Sequence, residues 1–164
     1  MSTFERITEH IRRTVMAPPT GTIAKFPRMA SAGFRSADAQ GGARIELEEM
    51  VGQSRVFELA LEDGQAVPLN FGGPTPIAYR DEIPILIRYE SSGPTRKRET
   101  LEEIKHDQLA VCDALHRSQW STVSGLASMQ ARPGDIYSFI IRDDAGNEYS
   151  GFKSEIAVAV SYDI

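Results

Sequence analysis

The chain has 164 residues, of which 41% are hydrophobic and 25% charged, as expected for one globular domain large enough to bury a core. Its formal net charge of -5 argues against a free-standing nucleic-acid-binding protein, because binding to phosphates needs a basic surface. The single cysteine, Cys112, excludes an intrachain disulfide and a cysteine-rich zinc motif. The sequence shows neither a signal peptide nor a membrane-length apolar run, so we expect a soluble cytosolic protein.

The first predicted element is an amphipathic helix over residues 4–15. Its apolar residues recur at intervals of three and four, which places them on one helix face: Phe4, Ile7, Ile11 and Val15. Ser2 and Glu5 fit a capping box at its start, and Pro18 ends it. The apolar face of this helix must pack against the chain's own sheet or against a neighbouring subunit.

The middle of the chain is less regular. Residues 28–43 are mostly small and predict a flexible segment. Alternating apolar and polar residues then predict two strands, over 44–48 and 56–61. Residues 65–80 contain several prolines and glycines and predict a second flexible segment, which in a compact domain often has a functional role.

The second half has the clearest pattern. Residues 82–90 alternate as a strand, and Pro84 suggests that it lies at a sheet edge or near a strand start. Residues 99–117 form an apolar stripe typical of a helix, interrupted by Gln108. A strand is possible around 123–129, residues 133–135 predict a turn, and two closing strands flank the turn at 144–147.

No catalytic, metal or cofactor site emerges from the spacing of reactive residues. Cys112 and His116 stand one helical turn apart, but the cysteine lies within the apolar stripe and no second ligand pair exists. The run from Asp143 to Glu148 lacks the register of a calcium loop and suits a tight turn. The basic triplet at 96–98 could contact phosphate or an acidic partner, although a solvated loop is the simpler interpretation.

The order of elements resembles the tail terminator, or tail completion, proteins of long-tailed bacteriophages. The resemblance is carried by the N-terminal helix at 4–15, the strand of sequence RDEIPILIRYE at 80–90, the helix beginning RETL at 98–101 and the closing hairpin. It covers about two-thirds of the chain and is one of layout, without an invariant motif. The segments 28–43 and 65–80 depart from it.

The resemblance implies an α+β fold: a mixed, mostly antiparallel sheet flanked by an N-terminal helix and one central amphipathic helix, in a single domain over 1–164. It also implies a structural virion protein of the tail and neck, made in the host cytoplasm and without catalytic residues or cofactors. Its copies would form a homo-hexameric ring at the head-proximal end of the tail tube. That ring would contact the tube protein and the neck or stopper protein, and DNA would pass through its lumen without specific binding.

Candidate interaction residues follow from the basic triplet and the irregular segment. They are Arg96, Lys97, Arg98, Asn70, Phe71, Tyr79 and Arg80. Two other functions stay open at this stage. One is another component of the same joint, such as a stopper or a tube-forming subunit, although the dominant helix disfavours a tube protein. The other is a small α+β enzyme or ligand-binding domain that uses residues 65–80 as a lid.

Overall fold

A computed structural model describes residues 1–17, 33–37, 46–50, 52–60, 67–69, 78–91 and 97–163. These residues form an α+β fold with two α-helices and one mixed, mostly antiparallel sheet, as predicted. The strands are β1 (Arg35–Ser36), β2 (Val56–Leu59), β3 (Val67–Leu69), β4 (Ala78–Ser91), β5 (Leu126–Arg142) and β6 (Glu148–Asp163). The sheet order is β1-β2-β4-β6-β5, with β3 also paired to β4. Among the described strand pairings, only that of β1 with β2 is parallel.

The N-terminal helix α1 spans Thr3–Met16, and its capping box is formed as predicted. The Ser2 hydroxyl accepts a hydrogen bond from the Glu5 N–H at 3.1 Å, and the Glu5 carboxylate accepts one from the Ser2 N–H at 2.6 Å. Ile7, Ile11 and Val15 are buried in the main core of the same chain. The apolar face of α1 is therefore covered without a neighbouring subunit.

The central helix α2 spans Lys97–Arg117 and covers the same face of the sheet as α1. Its Ile104, Val111 and Leu115 join the alternate, inward-facing residues of β4 and β6 in one core. Gln108, which interrupts the apolar stripe, lies at 4% exposure and donates hydrogen bonds to the carbonyls of Gly134 and Glu155 at 3.2 and 3.1 Å. Neither described helix is long and apolar enough to span a membrane.

Strand β4 is central in the sheet and longer than the predicted 82–90, so the expectation that Pro84 marks an edge or a strand start is wrong. Pro84 pairs with Ala157 of β6, and its carbonyl accepts from the Ala60 N–H at 2.9 Å on the other side. In an antiparallel strand the donor and acceptor of one residue point the same way. The N–H that Pro84 lacks would therefore point toward β2, at a position just past Leu59, the last residue of β2.

Strands β5 and β6 form one long hairpin around the predicted turn, where Gly146 has φ +83°. The predicted turn at 133–135 is wrong, because β5 runs through it. The register instead shifts between Pro133 and Ile136, so a β-bulge absorbs one extra residue. The two carbonyls that Gln108 binds lie at this bulge, on Gly134 and on Glu155 of the facing strand.

The predicted middle of the chain needs three corrections. Within 28–43, Phe34 is buried and Arg35–Ser36 pairs with β2, so residues 35–36 are strand where the small residues predicted a flexible segment. Leu47–Glu49 is a short 3-10 helix and no strand. Within 65–80, Val67–Leu69 and Ala78–Arg80 are paired as strands. The remaining residues of both segments lie outside the described ranges.

Acid sensitivity is expected where α1 meets the end of α2. His10 is half-buried and bonds to the Ser118 hydroxyl at 2.9 Å. Burial, assisted by the charge of Arg13, lowers the pKa of His10 below its usual 6.5. The unfolded chain therefore binds a proton at His10 more readily than the folded chain does. The stability that neutral His10 contributes to the fold is complete above pH 6.5 and is lost as the pH falls below 6.5.

Between pH 8 and pH 5, we therefore expect the melting temperature of His10→Gln to fall less than that of the unchanged chain. Thermal unfolding followed by circular dichroism at both pH values checks this. Ser121→Gln, which alters an exposed side chain without an ionisable group, is the matched control. Equal losses in the unchanged chain and in His10→Gln would contradict the assignment.

Candidate interaction surfaces

The seven predicted interaction residues do not form one described surface. Arg96, Asn70 and Phe71 lie outside the described residues. Lys97 and Arg98 are exposed in the first turn of α2, whereas Arg80 is exposed and Tyr79 partly buried at the start of β4. From Arg80 to Ser91, strand β4 extends about 36 Å at 3.3 Å per residue. Lys97 follows Ser91 by six residues, a reach of about 22 Å at most. The Cα atoms of Arg80 and Lys97 are therefore about 14 Å or more apart.

A groove beside the start of α1 holds Tyr79. Its aromatic walls are Phe4, Tyr79 and Tyr162, with the Tyr162 ring centroid 6.1 Å from each of the other two. The pocket has a volume of about 560 Å³ and is also lined by Arg6 and Asp163. Arg6 is already bonded to the carbonyls of Met1 and Ser124. The groove is thus mainly an apolar surface with one neighbouring carboxylate.

The face of the sheet opposite the helices carries a buried cation. Arg88 is 1% exposed and donates to the Gln53 carbonyl at 2.7 Å and to the Glu48 carbonyl at 3.2 Å. Its guanidinium also lies 3.3 Å from the Glu90 carboxylate and 5.2 Å from the centre of the Phe139 ring. Arg88 therefore fastens the segment containing the short 3-10 helix to the sheet.

Beside that segment the same face holds a pocket of about 530 Å³. Pro84, Leu86 and Phe139 form its apolar floor, and Lys153 and Glu155 lie on its rim. Lys153 is paired with Glu48, so its charge is matched within the chain. This face combines apolar floor and paired charges, which suits contact with another protein surface better than capture of a charged small molecule.

The outer edge of β5 is a third surface. Strand β5 is the last strand in the sheet order, and no described strand pairs with its outer side. Two of the five large hydrophobic residues exposed in the described chain lie on it, Tyr137 at 45% and Ile140 at 64%. An apolar strand with unpaired backbone groups is a site for association with another strand.

A buried polar cluster was missed in the sequence. Asp107 is fully buried, accepts a hydrogen bond from the Tyr89 hydroxyl at 2.7 Å and is paired with the Arg55 Nε at 2.8 Å. Burial, reinforced by Asp107, raises the pKa of Tyr89 well above its usual range. The available signal was Asp107 itself, which sits beside Gln108 inside the apolar stripe. Its complete burial indicates a structural brace, because a substrate could not reach it.

Cys112 and His116 do not form a reactive pair. Burial raises the pKa of the Cys112 thiol to about 11, so little thiolate exists near neutral pH. The Nε2 of His116 accepts a hydrogen bond from the Ala131 N–H at 3.0 Å and thereby supports β5. In the described part of the chain, no group of three or more His, Cys, Asp and Glu residues could hold a metal ion.

We expect the thiol of Cys112 to be unreactive toward a disulfide reagent in the folded protein and to react fully in denaturant, because it is buried and protonated. Spectrophotometric thiol titration with and without urea checks this. Ala145→Cys supplies the control, since Ala145 is exposed at the hairpin turn and its replacement should react at once. Equal rates for the two thiols in the folded protein would contradict the expectation.

Comparison with known proteins adds no assignment. No protein-family model matches this chain, and no curated protein matches it either.

Proposed function

We propose that this chain is a structural protein of a phage tail, a tail terminator whose copies form a ring at the head-proximal end of the tail tube. The ring would stop growth of the tube and present the docking surface for the neck. The observation that carries the proposal is the layered layout of the described residues: α1 and α2 cover one face of a long sheet, while the short 3-10 helix covers only part of the opposite face and no described strand pairs with the β5 edge. That layout is what the resemblance to terminators implies.

The sheet supplies the physical support for the proposed ring. Subunits in a closed ring meet through unlike surfaces, and the uncovered part of that sheet face together with the β5 edge offers two such surfaces. Helix α1 gives no such support, because its apolar face is buried within its own chain. The net charge of -5 suits a lumen through which DNA slides without being held.

Electron microscopy of purified protein mixed with purified tail tubes tests the proposal. We expect six-fold rings on one end of each tube and no further tube growth. Copies that leave tube ends bare and elongating would overturn it.

The charge reversals Lys97→Glu and Arg98→Glu, made together, test whether the exposed basic turn contacts a partner. Lys105→Glu on the same helix, also exposed, is the matched control.

A second candidate, a tube-forming subunit, is favoured by one observation. The β5–β6 hairpin has strands of 17 and 16 residues, and tube proteins use long hairpins to line the lumen. The same micrographs separate the two candidates. A tube subunit would form extended tubes by itself, whereas a terminator would form single rings on existing ends.

A further inference from the structure

The free edge of β5 is divided by its bulge. Before the bulge, the edge is engaged by α2: His116 accepts from the Ala131 N–H, and Gln108 binds the Gly134 carbonyl at the bulge itself. After the bulge, residues 136–141 contain no charged residue and no proline. Charge, proline and covering elements are the usual means of protecting an edge from other strands, and residues 136–141 have none of them among the described residues.

The outward backbone groups of this half can be identified. The Asp143 N–H donates to the Asn147 carbonyl at 3.0 Å, so Asp143 faces β6. Backbone groups alternate sides along a strand, and the pairing of 136–142 with β6 is regular. Residues 137, 139 and 141 therefore bond to β6, while Ile136, Ser138 and Ile140 point their N–H and C=O groups away from the sheet.

The side chains of this half form a symmetric pattern. The sequence Ile136-Tyr137-Ser138-Phe139-Ile140 has a serine at its centre, an aromatic residue on each side and an isoleucine at each end. An antiparallel strand of the same sequence, centred on Ser138, would place isoleucine opposite isoleucine and tyrosine opposite phenylalanine. Such aromatic and β-branched cross-strand pairs stabilise antiparallel sheets.

We infer that a second copy of this chain occupies the edge, through antiparallel pairing of 136–140 about a two-fold axis at Ser138. The outward residues Ile136, Ser138 and Ile140 supply both donors and acceptors, so the two sheets join into one. Because a two-fold contact uses the same patch on both subunits, it cannot by itself close a ring. The contact therefore describes the free chain, and the two copies would have to separate before the β5 edge could serve as the ring surface proposed above.

Cross-linking at the axis tests the inference. Two residues that oppose each other as a hydrogen-bonded antiparallel pair have Cα atoms about 5.5 Å apart, which suits a disulfide. Ser138→Cys should thus form a disulfide-linked dimer rapidly under mild oxidation, seen on a non-reducing gel. Ala145→Cys is the matched control, because it is also exposed on the hairpin but lies away from the axis. The buried native Cys112 should not cross-link.

Sedimentation of the full chain gives an independent measurement. The unchanged protein should sediment as a dimer, and Ser138→Lys should weaken the dimer at least about tenfold by setting like charges opposite each other. Circular dichroism verifies that this exposed substitution leaves the fold intact. Ser128→Lys, exposed on the earlier half of β5, should leave the dimer unchanged.

Three results would overturn the inference. They are a monomer at the highest soluble concentration, an oligomer that Ser138→Lys does not weaken, and cross-linking of Ser138→Cys no faster than that of Ala145→Cys. The proposed function is tested separately, because rings on tail tubes are scored by electron microscopy, whereas the two-fold contact is scored by sedimentation and cross-linking of the free chain.

Discussion

Replacing Asp107 with alanine is expected to lower the free energy of unfolding by about 2–4 kcal/mol, because it leaves the buried Tyr89 hydroxyl without its acceptor and the partly buried Arg55 without its buried partner. The Tyr89 hydroxyl lies 2.7 Å from the Asp107 carboxylate and the Arg55 Nε lies 2.8 Å from it. Domains of this kind have total stabilities of about 5–15 kcal/mol, so the loss is a large fraction. Urea unfolding followed by circular dichroism measures it.

Asp113→Ala is the matched control on the same helix. Asp113 pairs with Arg117 at 3.2 Å across one turn, and both side chains are accessible to water. Exposed pairs of this kind contribute about 0–1 kcal/mol. If the two variants lose stability equally, the Asp107 cluster does not brace α2 against the sheet, and the structural role assigned to it is wrong.

Replacing Arg88 with methionine is expected to cost about 2–5 kcal/mol, because methionine keeps the apolar stem but cannot donate to the two carbonyls that Arg88 satisfies. Those carbonyls, of Glu48 and Gln53, belong to the segment that Arg88 fastens to the sheet. We also expect faster amide hydrogen exchange across 46–55. Urea unfolding and exchange followed by mass spectrometry measure the two effects.

Arg80→Met provides the matched control, since Arg80 lies on the same strand with an exposed side chain. Its substitution should change stability by less than about 0.5 kcal/mol, as is usual for surface positions. Equal stability of the two variants would show that Arg88 does not hold the segment. Because Arg80 is also a predicted interaction residue, the same variant can be tested for binding to tail tubes.

Several elements were predictable because their signal is local. The capping box of Ser2 and Glu5, the apolar stripe of α2 and the hairpin turn at 144–147 each depend on residues within a few positions of one another. The α+β class was predicted through the family resemblance that their order carries. The polar residues Asp107 and Gln108 were visible in the stripe, but their partners are distant in sequence, so their roles could not be read from spacing.

The sequence by itself determined the helices, the closing turn and the absence of a disulfide within the chain, since these depend on nearby residues or on composition. Only the tertiary structure decided that Pro84 sits in a central strand and that 133–135 is a bulge. Both depend on what lies across the sheet: the end of β2 beside Pro84, and Gln108 beside Gly134. A proline or a Pro-Gly pair predicts a break only when no other element compensates for the backbone bonds that it disrupts.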